Sequence, residues 1–192
     1  MIARPVITLL LSSMVLVACS VGGSKVPPSS SSPTSAENLS PRPRELSLDR
    51  VDPCSLLTVV QQQQLGVGNG RPGTAGEDPQ SPACAWTRFP EEPQDAYQLR
   101  LDKTQGAEGS LSSVTGAKVL HIHGFATIET LSPHLPPTSH CVMVVDAASG
   151  QNLVLRYEYD GSTVAMTKQL ACDKAKVAAE MAVQTLIEQS GG

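Results

Sequence analysis

The five cysteines of this 192-residue chain fall into one and four, and that split sets most of what it can fold into. Cys19 closes an apolar run. Leu16-Val17-Ala18 precede it, the stretch from Val6 to Val17 holds only three hydroxyl residues, and Arg4 supplies a positive charge upstream. This is the layout of a signal peptide over residues 1–18. It ends in a small residue followed by Cys, the pattern of a bacterial lipobox, whose Cys is lipidated on sulfur and becomes the first mature residue. A transmembrane anchor needs about 20 apolar residues; this run is shorter, and Cys19-Ser20-Val21-Gly22-Gly23 stops it. The expectation is an exported protein held on the extracytoplasmic face of a cell membrane by acyl chains on Cys19. Each buried methylene contributes about 0.8 kcal/mol and one chain holds only marginally, so two or three chains are needed.

Export gives the other four cysteines, Cys54, Cys84, Cys141 and Cys172, their meaning. An even number in an oxidising compartment implies two disulfides. No pair has the C-x-x-C spacing of a metal site. Three connectivities are open. Pairing of sequence neighbours, Cys54–Cys84 and Cys141–Cys172, is the expectation taken here; each bridge would close a loop of about 30 residues and contribute about 3–4 kcal/mol by the chain-entropy argument.

Charge excludes one class of partner. Of 14 Lys+Arg, Arg4 leaves with the leader; 13 then face 18 Asp+Glu, a formal charge of −5. That argues against nucleic acid. Residues 19–47 read as the lipidated Cys and a tether: Ser29–Ser32 and prolines at 27, 28, 33, 41 and 43 cannot build a core. As a coil it spans roughly 30 Å, and as polyproline II about 90 Å. Residues 48–190 remain for one domain, long enough for a single core.

Asp52-Pro53-Cys54 predicts the start of a helix that Gly66 ends, with Leu56, Leu57, Val60 and Gln64 on one face and Gln61–Gln64 as a solvated tail. Gly66 to Pro82 reads as loop. Its G-x-G-x-x-G from Gly68 to Gly73 is a false match, because it follows a helix and Pro72 removes a backbone donor. Cys84–Phe89 and Tyr97–Leu101 read as strands, 104–116 as loop or short helix, and Lys118–Thr130 as a strand bent at Gly124. Leu131–Thr138 is proline-rich loop. Cys141–Val145 and Leu153–Tyr157 are the strongest strands, joined as a hairpin through Asp146–Gly150. A helix from about Thr167 to Gln189 turns Leu170, Ala171, Ala175, Ala178, Ala179, Ala182, Val183 and Leu186 toward the sheet. The order gives an α+β fold: an antiparallel sheet with N- and C-terminal helices packed on it, stapled by two disulfides.

Asp52-Pro53-Cys54-Ser55-Leu56-Leu57, Cys84-Ala85-Trp86, the strand from Cys141 to Asp146, and Cys172 opening an Ala-rich helix together resemble the actinobacterial lipoproteins called domain of unknown function 3558. The resemblance covers nearly all of 48–190. It implies an envelope lipoprotein and disulfides, and no catalytic residues. Gly124-Phe125-Ala126 lacks the proline that members often carry there.

Candidate chemistry is sparse. His121-Ile122-His123 on one strand would put both imidazoles on one face, about 7 Å apart, within reach of a metal; His134 and His140 are further candidates. No G-x-S-x-G is present, and Glu91-Glu92 and Glu158 with Asp160 read as solvated charge. Trp86 reads as core. The expectation is a non-enzymatic binding module without a cofactor, whose partner is an envelope protein or small ligand met through the loops 66–82 and 131–138. The alternative is an envelope hydrolase or a metal-binding protein using His121 and His123.

Overall fold

The computed structural model describes residues 39–74, 81–88, 94–113, 116–132, 135–161 and 165–191. Seven strands form one antiparallel sheet in the order β1-β2-β3-β7-β6-β5-β4. They are β1 (Arg71–Thr74), β2 (Pro82–Thr87), β3 (Asp95–Asp102), β4 (Lys118–Ile122), β5 (Phe125–Thr130), β6 (His140–Ala148) and β7 (Gln151–Tyr159). Two meanders, β1–β3 and β4–β7, meet where β3 pairs with β7. The helices are α1 (Val59–Leu65), α2 (Glu108–Ser113) and α3 (Lys168–Gln189). No helix among the described residues is long and apolar enough to cross a membrane.

Strand alternation decides which face is buried. In register, Cys84, Leu99, Leu155 and Met143 share one face, as do Trp86, Tyr97, Tyr157 and Cys141. That face is apolar across the central strands and carries α3, whose buried side includes Ala171, Cys172, Ala175, Ala178, Ala179, Ala182, Val183 and Leu186. The alanine run lets the helix lie close on the strands. Leu170, expected in the same stripe, is 37% exposed, because it lies in the first turn beyond the packed face. The opposite face carries a small cluster of Ala107, Ile128 and Val144, with Leu39, Leu111, Val142 and Val154 packed against it.

The cystines join Cys54 to Cys84 (Cα–Cα 5.0 Å) and Cys141 to Cys172 (4.9 Å). The first ties the N-terminal turn to β2, the second ties α3 to β6. Trp86 is fully buried beside the first cystine. Gly70 lies over it: a Cβ there would stand 2.6 Å from Trp86 Nε1 and 2.7 Å from Cys84 Sγ, so only glycine permits the approach.

Several expectations need correction. The helix foreseen from Asp52 to Gly66 is broken in two. Asp52 caps only a 3-10 turn, Pro53–Leu56, accepting from Cys54 N–H at 2.9 Å. Leu57 is extended, and Thr58 starts α1 afresh with a capping box to Gln61. Leu56 and Leu57 are both buried. Val60 is 62% exposed, and Gln64 is exposed as well. The glutamines are not all solvated: Gln61 Nε2 donates to Met181 O and Thr185 Oγ1, and Gln62 Nε2 to Leu57 O. Gly66 does end the helix, in the left-handed region at φ 68°.

The 66–82 loop contains β1, an edge strand of Arg-Pro-Gly-Thr; Pro72 is tolerable only because it is at the edge. Lys118–Thr130 is a hairpin rather than one bent strand. His123 (φ 50°) and Gly124 (φ 87°) both occupy the left-handed region, which reverses the chain in two residues. Finally, residues 39–47, read as tether, belong to the domain. Leu46 is fully buried and its N–H donates to Ala147 O. Arg42 clamps the buried Asp146 at 2.7 and 2.8 Å. This segment has no regular element, so no periodicity marked it.

Candidate functional site

One end of the sheet opens into a cleft of about 620 Å3. Thr87 and Arg88 follow from β2, Asp95 and Ala96 from the start of β3, and Glu158, Tyr159 and Asp160 from the end of β7. Leu135, Pro136 and Ser139, in the loop before β6, form the remaining wall.

That loop is held by His140. The imidazole is fully buried. Its Nε2 accepts from Ser132 N–H at 2.7 Å, and Nδ1 lies 2.7 Å from Pro136 O. A carbonyl can only accept and a backbone N–H can only donate, so the ring is neutral with its proton on Nδ1. Ser139 O also accepts from Tyr159 N–H at 2.8 Å, fastening the loop to β7. Pro136 and Ser139 are thereby fixed in the wall.

The floor near Asp95 is polar and tightly knit. Asp95 is 4% exposed, and its Oδ1 accepts from Tyr157 OH at 2.5 Å and from Lys174 Nζ at 3.1 Å. Lys174, from α3, also sits 5.5 Å over the Tyr157 ring, and Tyr97 packs against that ring at 5.2 Å. Burial, then the bond to the Asp95 carboxylate, pushes the Tyr157 phenol far above its ordinary range; burial, then the charge of Asp95, does the same for Tyr97. Both stay neutral hydroxyls. Lys174 balances the buried carboxylate, so the triad is an internally neutral brace between β3, β7 and α3.

The sequence candidates are scattered rather than gathered here. His121 stands exposed on the edge strand β4. His123 is in the turn, its Nε2 3.1 Å from Glu180 O on α3. The hairpin thus removes the shared face on which the H-x-H reading rested. His140, the first residue of β6, is structural and holds the loop of the cleft wall. His134, Glu91-Glu92 and Cys19 lie outside the described residues. Among the described residues no three His, Cys, Asp or Glu are grouped to hold a metal. Glu158 lines the cleft and pairs with Arg156 at 3.2 Å; Asp160 lines it too. The foreseen contact loop 131–138 contributes Leu135 and Pro136. The described residues of the 66–82 loop are not part of the lining.

Asp95, Tyr157 and Lys174 were missed. Nothing local marks them: Asp95 meets partners 62 and 79 residues away. The only signal was indirect, an aspartate opening a strand whose alternate residues are otherwise apolar.

The protein is thus a disulfide-stapled, seven-stranded antiparallel sheet backed by a C-terminal helix, with a cleft at one end of the strands. It belongs to the family described as protein of unknown function (DUF3558), which it matches over residues 14–185. No curated protein and no solved structure matches the chain.

Proposed function

We propose that this is a lipoprotein of the cell envelope, anchored through acylated Cys19 on the extracytoplasmic side of the membrane, and that its domain binds a protein segment or small ligand in the sheet-end cleft without catalysing a reaction. The anchor reading rests on the apolar run ending in Leu16-Val17-Ala18-Cys19. The binding reading rests chiefly on the cleft itself: about 620 Å3, with Ala96, Leu135, Pro136 and Tyr159 set beside polar residues that include the charged Arg88, Asp95, Glu158 and Asp160. Its walls are braced by His140 and by the Asp95–Tyr157–Lys174 triad, which suits recognition by a preformed surface. The cystines are oxidised, so Cys54, Cys84, Cys141 and Cys172 offer no thiolate nucleophile.

The test compares two variants of the anchored protein. Leu135→Glu puts a charge into the cleft wall; His121→Ala/His123→Ala removes the histidine pair. Crosslinking in membranes should trap a partner or ligand with the wild type and the histidine variant, and lose it at least tenfold with Leu135→Glu. Stoichiometric zinc in protein purified without chelators, lost in the histidine variant, would overturn the reading. So would capture unchanged by Leu135→Glu, or turnover of an envelope substrate by the purified domain.

A further inference from the structure

We propose that the sheet face opposite α3 docks on anionic phospholipid headgroups of the membrane that holds Cys19. The proposal rests on the anchor reading above and not on the sheet-end cleft.

Strand register puts three arginines on that face. Arg71 shares a row with Ala85, Gln98 and Arg156, running across β1, β2, β3 and β7. Arg100 lies in the next row, between Ala83 and Val154. Arg100 and Arg156 are diagonal neighbours on adjacent strands, with Cα atoms about 7–8 Å apart. Arg71 is three strand spacings from Arg156, about 14 Å. Arg71 is exposed, and the other two are half-buried. Glu158, beside Arg156 at 3.2 Å, is the nearest carboxylate on this face in register. Asp102 and Asp146, further along it, are buried and engaged, by the Thr104 and Gln105 N–H groups and by Arg42. A chain of net negative charge thus carries one basic sheet face.

The observation that points to an oxyanion is the state of the guanidinium groups. Arg100 Nε and Arg156 Nε are both buried without a hydrogen-bond partner. The side chains of Arg71 and Arg100 have no partner of any kind among the described residues. A buried donor left unmade is costly. A guanidinium presents its N–H groups as a fork that fits phosphate oxygens. Turning the two forks outward onto phosphates supplies the bonds the sheet withholds.

The point where the chain enters the domain says which phosphate is within reach. Leu39 packs on this same face, against the cluster of Ala107, Ile128 and Val144. Val154 and Val142, the cross-strand partners of Arg100 and Arg156, pack on that cluster too. Nineteen residues, 20–38, separate Leu39 from Cys19; a coil of that length spans about 25 Å. The anchored chain therefore enters on the arginine side. The outer side of α3 offers no such charge: Lys168 and Lys176 are set against Asp173, Glu180 and Glu188.

The test uses full-length protein with nanodiscs of phosphatidylcholine, alone or mixed equally with phosphatidylglycerol, each carrying a nitroxide-headgroup lipid. Broadening of backbone amides is read by NMR. In mixed discs it should centre on Arg71, Gln98, Arg100 and Arg156 and spare Asp173, Val177 and Glu180. It should fade in phosphatidylcholine alone and at about 1 M salt, where charges are screened within about 3 Å. Arg100→Gln/Arg156→Gln should lower the ratio of docked to undocked domain about 25-fold, about fivefold for each arginine. The comparison of the two lipids with wild type decides the matter even if that variant fails to fold. Intact mass of the same sample reports whether Cys19 is acylated, so a failed anchor shows there and a failed docking shows in the broadening. Equal broadening in the two lipids, broadening centred on α3, or no change in a folded Arg100→Gln/Arg156→Gln would overturn the proposal. So would release of the domain from mixed discs by millimolar inorganic phosphate, which would make this a site for a free anion, or by hexaglutamate, which would make it a site for an acidic peptide.

Discussion

Replacing Cys141 and Cys172 together by alanine should lower the stability of the domain by about 2–5 kcal/mol. Against a whole-domain stability of about 5–15 kcal/mol this is a large share. The unfolding midpoint should fall by roughly 4–20 °C at about 2–4 °C per kcal/mol. Two effects add. The bridge spans 31 residues, so its removal restores freedom to the unfolded chain. Both sulfurs also sit in the core between β6 and α3, so alanine leaves a void there. The Cys54–Cys84 bridge spans 30 residues, and the entropic part should match. Cys54, however, is only partly buried in the N-terminal turn, so the packing loss is smaller. Denaturant unfolding of the two double-alanine variants measures the difference directly. Equal losses would mean that packing at Cys141–Cys172 contributes nothing; an unchanged midpoint in either variant would mean that the bridge does not constrain the unfolded chain.

Asp95→Ala should cost about 2–4 kcal/mol, the second large effect. It strands the Tyr157 hydroxyl in the core without an acceptor and takes the partner from Lys174. The figure sits below that for a fully buried ion pair because Lys174 is partly in water and can turn outward. The two tyrosines add a pH signature. In the folded chain both phenols are held above their ordinary value, whereas in the unfolded chain they ionise from about pH 10. Above that pH the unfolded state binds fewer protons than the native state, so stability is full below about 10 and falls as pH rises further. Each tyrosine contributes up to about 1.4 kcal/mol per pH unit to the fall. Tyr157→Phe should remove its share of that slope, as read from denaturant midpoints between about pH 9 and 11, one unit either side of the unfolded-state transition. A slope unchanged by Tyr157→Phe would show that the phenol is not held neutral by its site.

What was legible in the residues follows from how local each cause is. The strands β3, β6 and β7 announce themselves by alternation, because each has one face in the core. Helix α3 shows in its alanine spacing. Gly66 and Thr167 are stop and start signals that act within one turn, and both act as read. The failures have causes at longer range. Strand β1 is Arg-Pro-Gly-Thr, which has no strand propensity and exists because β2 pairs with it. The turn at His123-Gly124 is concealed inside an apolar run, since a histidine in the left-handed region looks like any strand residue until the pairing of Ile122 with Phe125 is seen. Residues 39–47 pack through isolated anchors, Leu39, Arg42 and Leu46, with no period to detect. The cleft walls and the Asp95–Tyr157–Lys174 brace arise only when three distant segments meet. A candidate site built that way carries no motif, and the H-x-H that did look like one is divided by a turn.

That the domain works at a membrane surface, presented by acylated Cys19, is tested most directly by isolating the full-length protein from cell membranes and measuring its intact mass and N-terminal peptide. The predicted result is a chain beginning at Cys19, bearing acyl chains on that residue, which stays with the membrane at high salt, while Cys19→Ser either appears in the medium or fails to mature. An unmodified Cys19 in the isolated protein, or a Cys19→Ser variant that still partitions wholly with membranes at high salt, would contradict it.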